Sequence, residues 1–186
     1  IDSRSALSGS SGQFNGYRRI TDSNTMLCVK EAVGSTRMQI ESELSMGLPN
    51  SPMHGAEVRV IGGNFITAKP VGILNGVDFQ YTGEIRRIDA IAIEQQLKDN
   101  ALVLISPIGF SPTGETFNLN YQEVATQVSI ALNAQKLIFV SEARGILKDE
   151  TLIRNLSLPE VSALAAESTD LDEQQLLFSA YQACDN

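Results

Sequence analysis

The sequence predicts an α/β fold, a mainly parallel sheet sandwiched between helices, with a β-hairpin-rich insertion around residues 57–87. Two apolar runs, Ala101-Leu102-Val103-Leu104-Ile105 and Lys136-Leu137-Ile138-Phe139-Val140, lack alternation, the mark of strands covered on both faces. Helix-periodic segments separate them, and such alternation of element types favours parallel pairing through helical crossovers. Between 57 and 87, glycines instead punctuate short β-branched runs, which is hairpin chemistry. With 186 residues, 42% of them apolar and 19% charged, the chain suits one globular domain, 1–186.

Each element has a local cause. Residues 1–18 are rich in Ser and Gly and read as irregular. Thr21-Asp22-Ser23-Asn24 supplies capping side chains for a helix whose apolar residues, Met26 to Leu44, recur at three- and four-residue steps. Gly34 is a potential interruption, and Leu48-Pro49-Asn50-Ser51-Pro52 is a break. Val58–Ile61 and Phe65–Ala68 read as strands reversing at Gly62-Gly63, and Phe79–Arg87 as a second extended pair. Asp89 caps a helix carrying Ile91, Ile93 and Leu97. Asn120 with Glu123 opens a helix through Val124, Val128 and Leu132, and two more helices are predicted over 159–167 and 172–184.

Charge and composition exclude several functions. The net charge of −8 argues against nucleic-acid binding, which needs clustered Lys and Arg. Residues 1–141 carry 13 acids and 11 bases, whereas 142–186 carry nine acids and three bases, so the acidity is C-terminal, around Glu167, Asp170, Asp172 and Glu173. A solvated helix face is its ordinary explanation. No apolar run approaches membrane-spanning length, so no membrane association is expected. Cys28 and Cys184 lie far apart and read as buried small hydrophobes in a reducing cytoplasm, and His54 adds no metal-ligand spacing.

Two motifs are decoys. Gly109-Phe110-Ser111-Pro112-Thr113-Gly114-Glu115-Thr116 nearly matches the phosphate loop G-x-x-x-x-G-K-S/T, but Glu115 replaces the lysine and would repel phosphate. Arg59-Val60-Ile61-Gly62-Gly63-Asn64 approaches a coenzyme A loop, but Asn64 stands at its sixth position and no helix start follows. Arg86-Arg87 beside Asp89 could clamp a carboxylate or phosphate, although a solvated strand end with local ion pairs explains it as well. No nucleophile–base constellation is fixed by spacing.

The segments Gly62–Pro70, Gly76-Val77-Asp78 and Gly83–Asp89 together resemble the bacterial N-acetylglutamate synthase family. So do Thr113–Asn120 followed by Ala125-Thr126-Gln127, and Arg19-Ile20-Thr21-Asp22 near the start. The resemblance implies the amino-acid-kinase, or carbamate-kinase-like, fold. It implies a parent enzyme that makes N-acetyl-L-glutamate from acetyl-coenzyme A and L-glutamate for arginine biosynthesis. It also implies L-arginine as allosteric effector and assembly into homo-oligomers. In that family an acetyltransferase domain follows the kinase-like one. The chain opens on Ile1 rather than Met, so Ile1 and Asn186 are expected to be internal cuts of one truncated kinase-like domain. The acetyltransferase domain is absent from it, no cofactor is expected for it, and it should be catalytically inactive alone.

The same resemblance assigns a vestigial kinase pocket. Arg19 occupies the R-V/I-T-D position that binds the substrate carboxylate in acetylglutamate kinases, and Asn118 matches their N-x-N asparagine. Gln122 stands where those kinases carry an aspartate that organises catalytic lysines. Ser141 and Gly145 frame the nucleotide-side segment, with Glu142 replacing its usual aspartate. Phosphoryl transfer rests on positioning and charge stabilisation, so these departures should abolish it. Two alternatives stay open on the retained residues: a divergent acetylglutamate-kinase-like phosphotransferase, and a small-molecule module that binds arginine.

Overall fold

A computed structural model describes residues 14–15, 18–45, 55, 58–140, 145–148, 151–168 and 171–185. The chain divides into two compact units, Ile1–Asn120 and Tyr121–Asn186. Among the described residues their elements give the α/β class, with five helices and strands paired in both senses.

The first described elements are a short antiparallel pair, β1 (Phe14–Asn15) within the segment 1–18 expected to be irregular and β2 (Arg18–Arg19) at its end. α1 (Ser23–Ser45) follows because Asp22 caps it: its carboxylate accepts the Thr25 N–H at 2.7 Å and its carbonyl the Met26 N–H at 2.8 Å. Gly34 does not interrupt the helix. Met26 and Val29, three residues apart on one face, form a core cluster with Val33 and Ile108 packed against it.

β3 (Val60–Gly62), β4 (Ile66–Pro70), β5 (Ile73–Leu74), β6 (Val77–Asp78) and β7 (Gly83–Ile88) follow, then α2 (Ala90–Lys98) and β8 (Leu102–Leu104), β9 (Ile108–Phe110) and β10 (Thr116–Asn118). Gly62-Gly63 does not reverse a hairpin as expected. Instead β3 pairs in parallel with β8, while β4 enters a different, four-stranded sheet of order β10-β9-β4-β7. The glycine at 62 serves a close approach: a Cβ there would lie 2.6 Å from Arg37 Cζ. The hairpin of the insertion is β5–β6, turned at Asn75-Gly76, both at positive φ, and not the Phe79–Arg87 segment. Asp89 caps α2 as predicted, accepting the Ala92 N–H at 3.1 Å. β8 is not covered on both faces, since Leu102 is exposed and Val103 and Leu104 half-buried.

The sheet mixes parallel β4–β9 with antiparallel β4–β7 and β9–β10. Its register carries a bulge at Arg86: Thr67 faces Arg87, but Ala68 faces Ile85. The sequence forces this. Ile85 and Ile88 are three residues apart, and only an extra residue between them lets both face the side where Ile66 and Ala68 are buried. The phosphate-loop look-alike is the β9–β10 turn, closed by Gly114 N–H to the Ser111 carbonyl at 3.0 Å, with a strand after it and not a helix.

In the second unit α3 (Tyr121–Ala131) starts immediately after Asn120, where the capping pattern placed it. The antiparallel pair β11 (Leu147–Lys148) and β12 (Thr151–Leu152) precedes α4 (Leu158–Glu167) and α5 (Leu171–Cys184). The Glu160 carboxylate accepts from both the Ser157 N–H and Oγ–H, at 2.7 and 2.6 Å, which fixes the start of α4. α5 packs on α3 and α4, burying Leu177 and Ser179 beside Val161 and Thr126. The run 136–140 forms no strand: Ile138 and Val140 are 75% and 94% exposed. Hydrophobicity without alternation signals burial only when a neighbouring strand receives it, and among the described residues none does. Cys28 and Cys184 are likewise exposed and free, because each falls on the outer side of its helix. Among the described residues no helix is long and apolar enough to cross a membrane.

Candidate functional site

A polar arrangement in the first unit joins the end of β2, the start of α1, the start of β7 and the end of β10. At its centre Thr82 Oγ1 donates to the Arg19 carbonyl at 2.6 Å and accepts the Thr21 N–H at 3.0 Å. Thr21 Oγ1 lies 3.1 Å from it. Thr82 is the donor there too, so its single proton is shared between the Arg19 carbonyl and Thr21 Oγ1, the shorter bond being the one to the carbonyl. Thr21 Oγ1 then accepts from Asn118 Nδ2 at 3.0 Å. Backbone bonds close the ring, from Tyr81 N–H to the Thr21 carbonyl and from Asn118 N–H to the Tyr81 carbonyl, each 2.9 Å. Thr21 is fully buried, so no water competes for these groups.

Charge rings this core. Arg18 Nη1 meets Glu84 Oε1 at 2.6 Å, and Lys69 Nζ lies 3.3 Å from Glu84 Oε2. The Arg18 hydrogen bond, aided by Lys69, outweighs burial and holds the Glu84 carboxyl below its ordinary 4.5. Asp22 is also lowered, first by the Thr25 N–H that it caps and further by the Arg19 guanidinium. A depressed folded pKa contributes stability above the unfolded value and loses it as pH falls through the folded one. Glu84→Gln should therefore flatten the acid limb of stability as pH falls below 4.5, read from urea midpoints. An acid limb as steep as that of the parent chain would remove Glu84 from this role.

The sequence-predicted residues fall into place unevenly. The Arg19 backbone carbonyl and the Asn118 side-chain amide are linked through Thr82 and Thr21, neither of which sequence reasoning singled out as a site. Thr21 stood inside the quoted Arg19-Ile20-Thr21-Asp22 run, so it was within reach. Thr82 carried no signal beyond its place before Gly83. Gln122 belongs to the second unit, where it is buried in the first turn of α3. Gly145, at φ 123°, precedes β11, and a Cβ there would lie 2.7 Å from Leu152 Cδ1. Ser141 and His54 lie outside the described residues. Among the described residues Arg86 and Arg87 make no ion pair, and Asp89 is occupied as a helix cap. No group of three or more His, Cys, Asp or Glu that could hold a metal occurs among the described residues. The arrangement is a buried network of mutually hydrogen-bonded groups, without a nucleophile paired to a base.

Comparison with known proteins agrees with this architecture. The model of the amino acid kinase family matches residues 3–184. An amino-acid acetyltransferase of Azotobacter vinelandii is 48% identical over 186 residues, 99% of this chain and 43% of its own length. The chain thus spans less than half the length of the curated relatives it matches. The structure of N-acetylglutamate synthase from Neisseria gonorrhoeae complexed with coenzyme A and L-arginine superposes with a TM-score of 0.89 at 31% identity, covering 98% of this chain and 43% of that one. The same enzyme complexed with coenzyme A and N-acetyl-glutamate gives 0.84 at 30% identity, covering 97% and 40%. With a family model matched across nearly its whole length, this chain belongs to the amino acid kinase family.

Proposed function

We propose that this chain is the kinase-like domain of an N-acetylglutamate synthase, with a regulatory and architectural role and no chemistry of its own. The observation that carries the reading is the likeness across 98% of the chain to a synthase bound to coenzyme A and L-arginine. The whole protein would transfer an acetyl group from acetyl-coenzyme A to L-glutamate, opening arginine biosynthesis in the cytoplasm, with L-arginine as its effector. Two free cysteines suit that reducing compartment.

Gln122 argues against a phosphotransferase. A buried amide in the first turn of α3 supplies no negative charge to organise cationic side chains around a transferred phosphoryl group. Arg19 and Asn118 are retained without that charge and act as parts of a folded polar core.

The test pairs the 186-residue chain with the protein expressed from its complete reading frame. Only the latter should convert labelled acetyl-coenzyme A and glutamate to N-acetyl-L-glutamate, and arginine should inhibit it. Acetyl transfer by the 186-residue chain, or ADP formation dependent on N-acetyl-L-glutamate, would overturn the reading.

A further inference from the structure

We propose that Asn75, at the tip of the β5–β6 hairpin, is a covalent modification site: in the folded chain it loses its side-chain amide through a cyclic imide, giving aspartate and isoaspartate. Asn75-Gly76 is the two-residue loop between Leu74 and Val77, with φ of 51° and 79°. Asparagine followed by glycine is what such a loop selects, because both positions need positive φ. Both residues are exposed, and neither takes part in a hydrogen bond or ion pair among the described residues. Nothing lies within 4 Å of the place that a Gly76 Cβ would occupy, so no neighbouring group screens the amide nitrogen.

The chemistry needs only water. The Gly76 amide nitrogen gives its proton to hydroxide and attacks Asn75 Cγ. The new N–Cγ bond closes the imide, the bond from Cγ to the side-chain nitrogen breaks, and ammonia leaves with a proton taken from water. Water then opens the imide. Breaking the bond from nitrogen to Cγ gives aspartate, whereas breaking the bond to the backbone carbonyl carries the chain through Cγ as isoaspartate. The balance is water in and ammonia out, with nothing oxidised or reduced.

Attack requires rotation about the Asn75 Cα–C bond, and this hairpin yields readily. β5 and β6 are two residues each and pair only with one another, apart from the four-stranded sheet. Ile73 and Leu74 are 70% and 44% exposed, so little apolar burial holds the strands together. An isolated hairpin is marginal in water. Its base is fixed, by the Phe79 N–H to the Gly72 carbonyl at 3.0 Å and by burial of Phe79, so opening stays local. Asn100 and Asn133 also have positive φ but differ at the nucleophile. Each precedes an alanine whose N–H is already donated, to the Gln96 carbonyl at 3.1 Å and the Ser129 carbonyl at 2.9 Å.

Peptide mapping by mass spectrometry of the whole chain, incubated folded in mildly alkaline buffer, tests this. It resolves Asn75 from Asn15, which also precedes a glycine. Asn75 should convert at a rate within about tenfold of that in the free peptide 71–79, and faster as hydroxide rises. Methyl transfer from S-adenosylmethionine by an isoaspartyl methyltransferase should label the product, while Asn100 and Asn133 keep their amides. Gly109→Ala, remote from the hairpin and expected to weaken the sheet, should leave the Asn75 rate unchanged. A rate that rises with that loss of stability overturns the proposal, because only unfolded chain would then react. An Asn75 still amidated when the free peptide has converted overturns it as well, since the turn then protects what its exposure offers.

Discussion

Replacing Thr82 by valine is expected to destabilise the first unit by about 3 kcal/mol, seen as a lower urea midpoint with an unchanged slope. Valine keeps the shape, so no cavity opens and the loss is polar. The Arg19 carbonyl loses a 2.6 Å donor, and the buried Thr21 N–H loses its acceptor at 3.0 Å. Each stranded buried group costs about 1–3 kcal/mol, and Thr21, at 0% exposure, cannot turn to water. Serine at the same position keeps the hydroxyl and loses one methyl, which should cost about 1 kcal/mol. A valine variant within about 0.5 kcal/mol of the parent chain would mean that the network contributes nothing to stability.

Gly109→Ala should be nearly as damaging, at about 2–3 kcal/mol. Its new Cβ would overlap the Ala68 Cβ and stand 3.0 Å from Leu119 Cδ1. The Ala68 Cβ is fixed to the backbone of β4 and cannot swing aside, so β9 and β4 would have to separate. Gly83 is confined in the same way, with Phe117 Cβ 2.5 Å from where its own Cβ would be. Removing the obstacle provides the decisive comparison: Ala68→Gly combined with Gly109→Ala should recover most of the lost stability. If the double variant is no more stable than Gly109→Ala alone, the clash is not the cause.

Local chemistry was legible in the sequence, and long-range pairing was not. Asp22 and Asp89 announce their helices because a cap acts within four residues. The resemblance in Arg19–Asp22 and Thr113–Asn120 pointed to Arg19 and Asn118; the Asn118 amide donates to Thr21, whereas Arg19 joins that network by its backbone carbonyl, through Thr82. The same local logic misjudged Gly62-Gly63. Two glycines between apolar runs fit a hairpin, yet the choice of β8 as the partner of β3 depends on residues 42 positions away. It also misjudged Lys136–Val140, where composition promised burial that no described neighbour provides. Thr82 was missed for a related reason: a buried hydroxyl is defined by its partners, which are 61 and 63 residues distant.

The threonine network has one more consequence, for alignment. β2 is two residues long, and the Thr21–Gln80 and Thr82–Asn118 pairings are isolated bridges with no ladder on either side. Ladders that short cannot specify which residue sits opposite which, because a slip by one position sacrifices few backbone bonds. A slip here would turn the Thr21 hydroxyl to the opposite face and strand Thr82, Asn118 and the Arg19 carbonyl together. Three short segments separated by most of the first unit's sequence are thereby held in one relative position by two hydroxyls and an amide. The network works as a key that fits a single alignment of the chain.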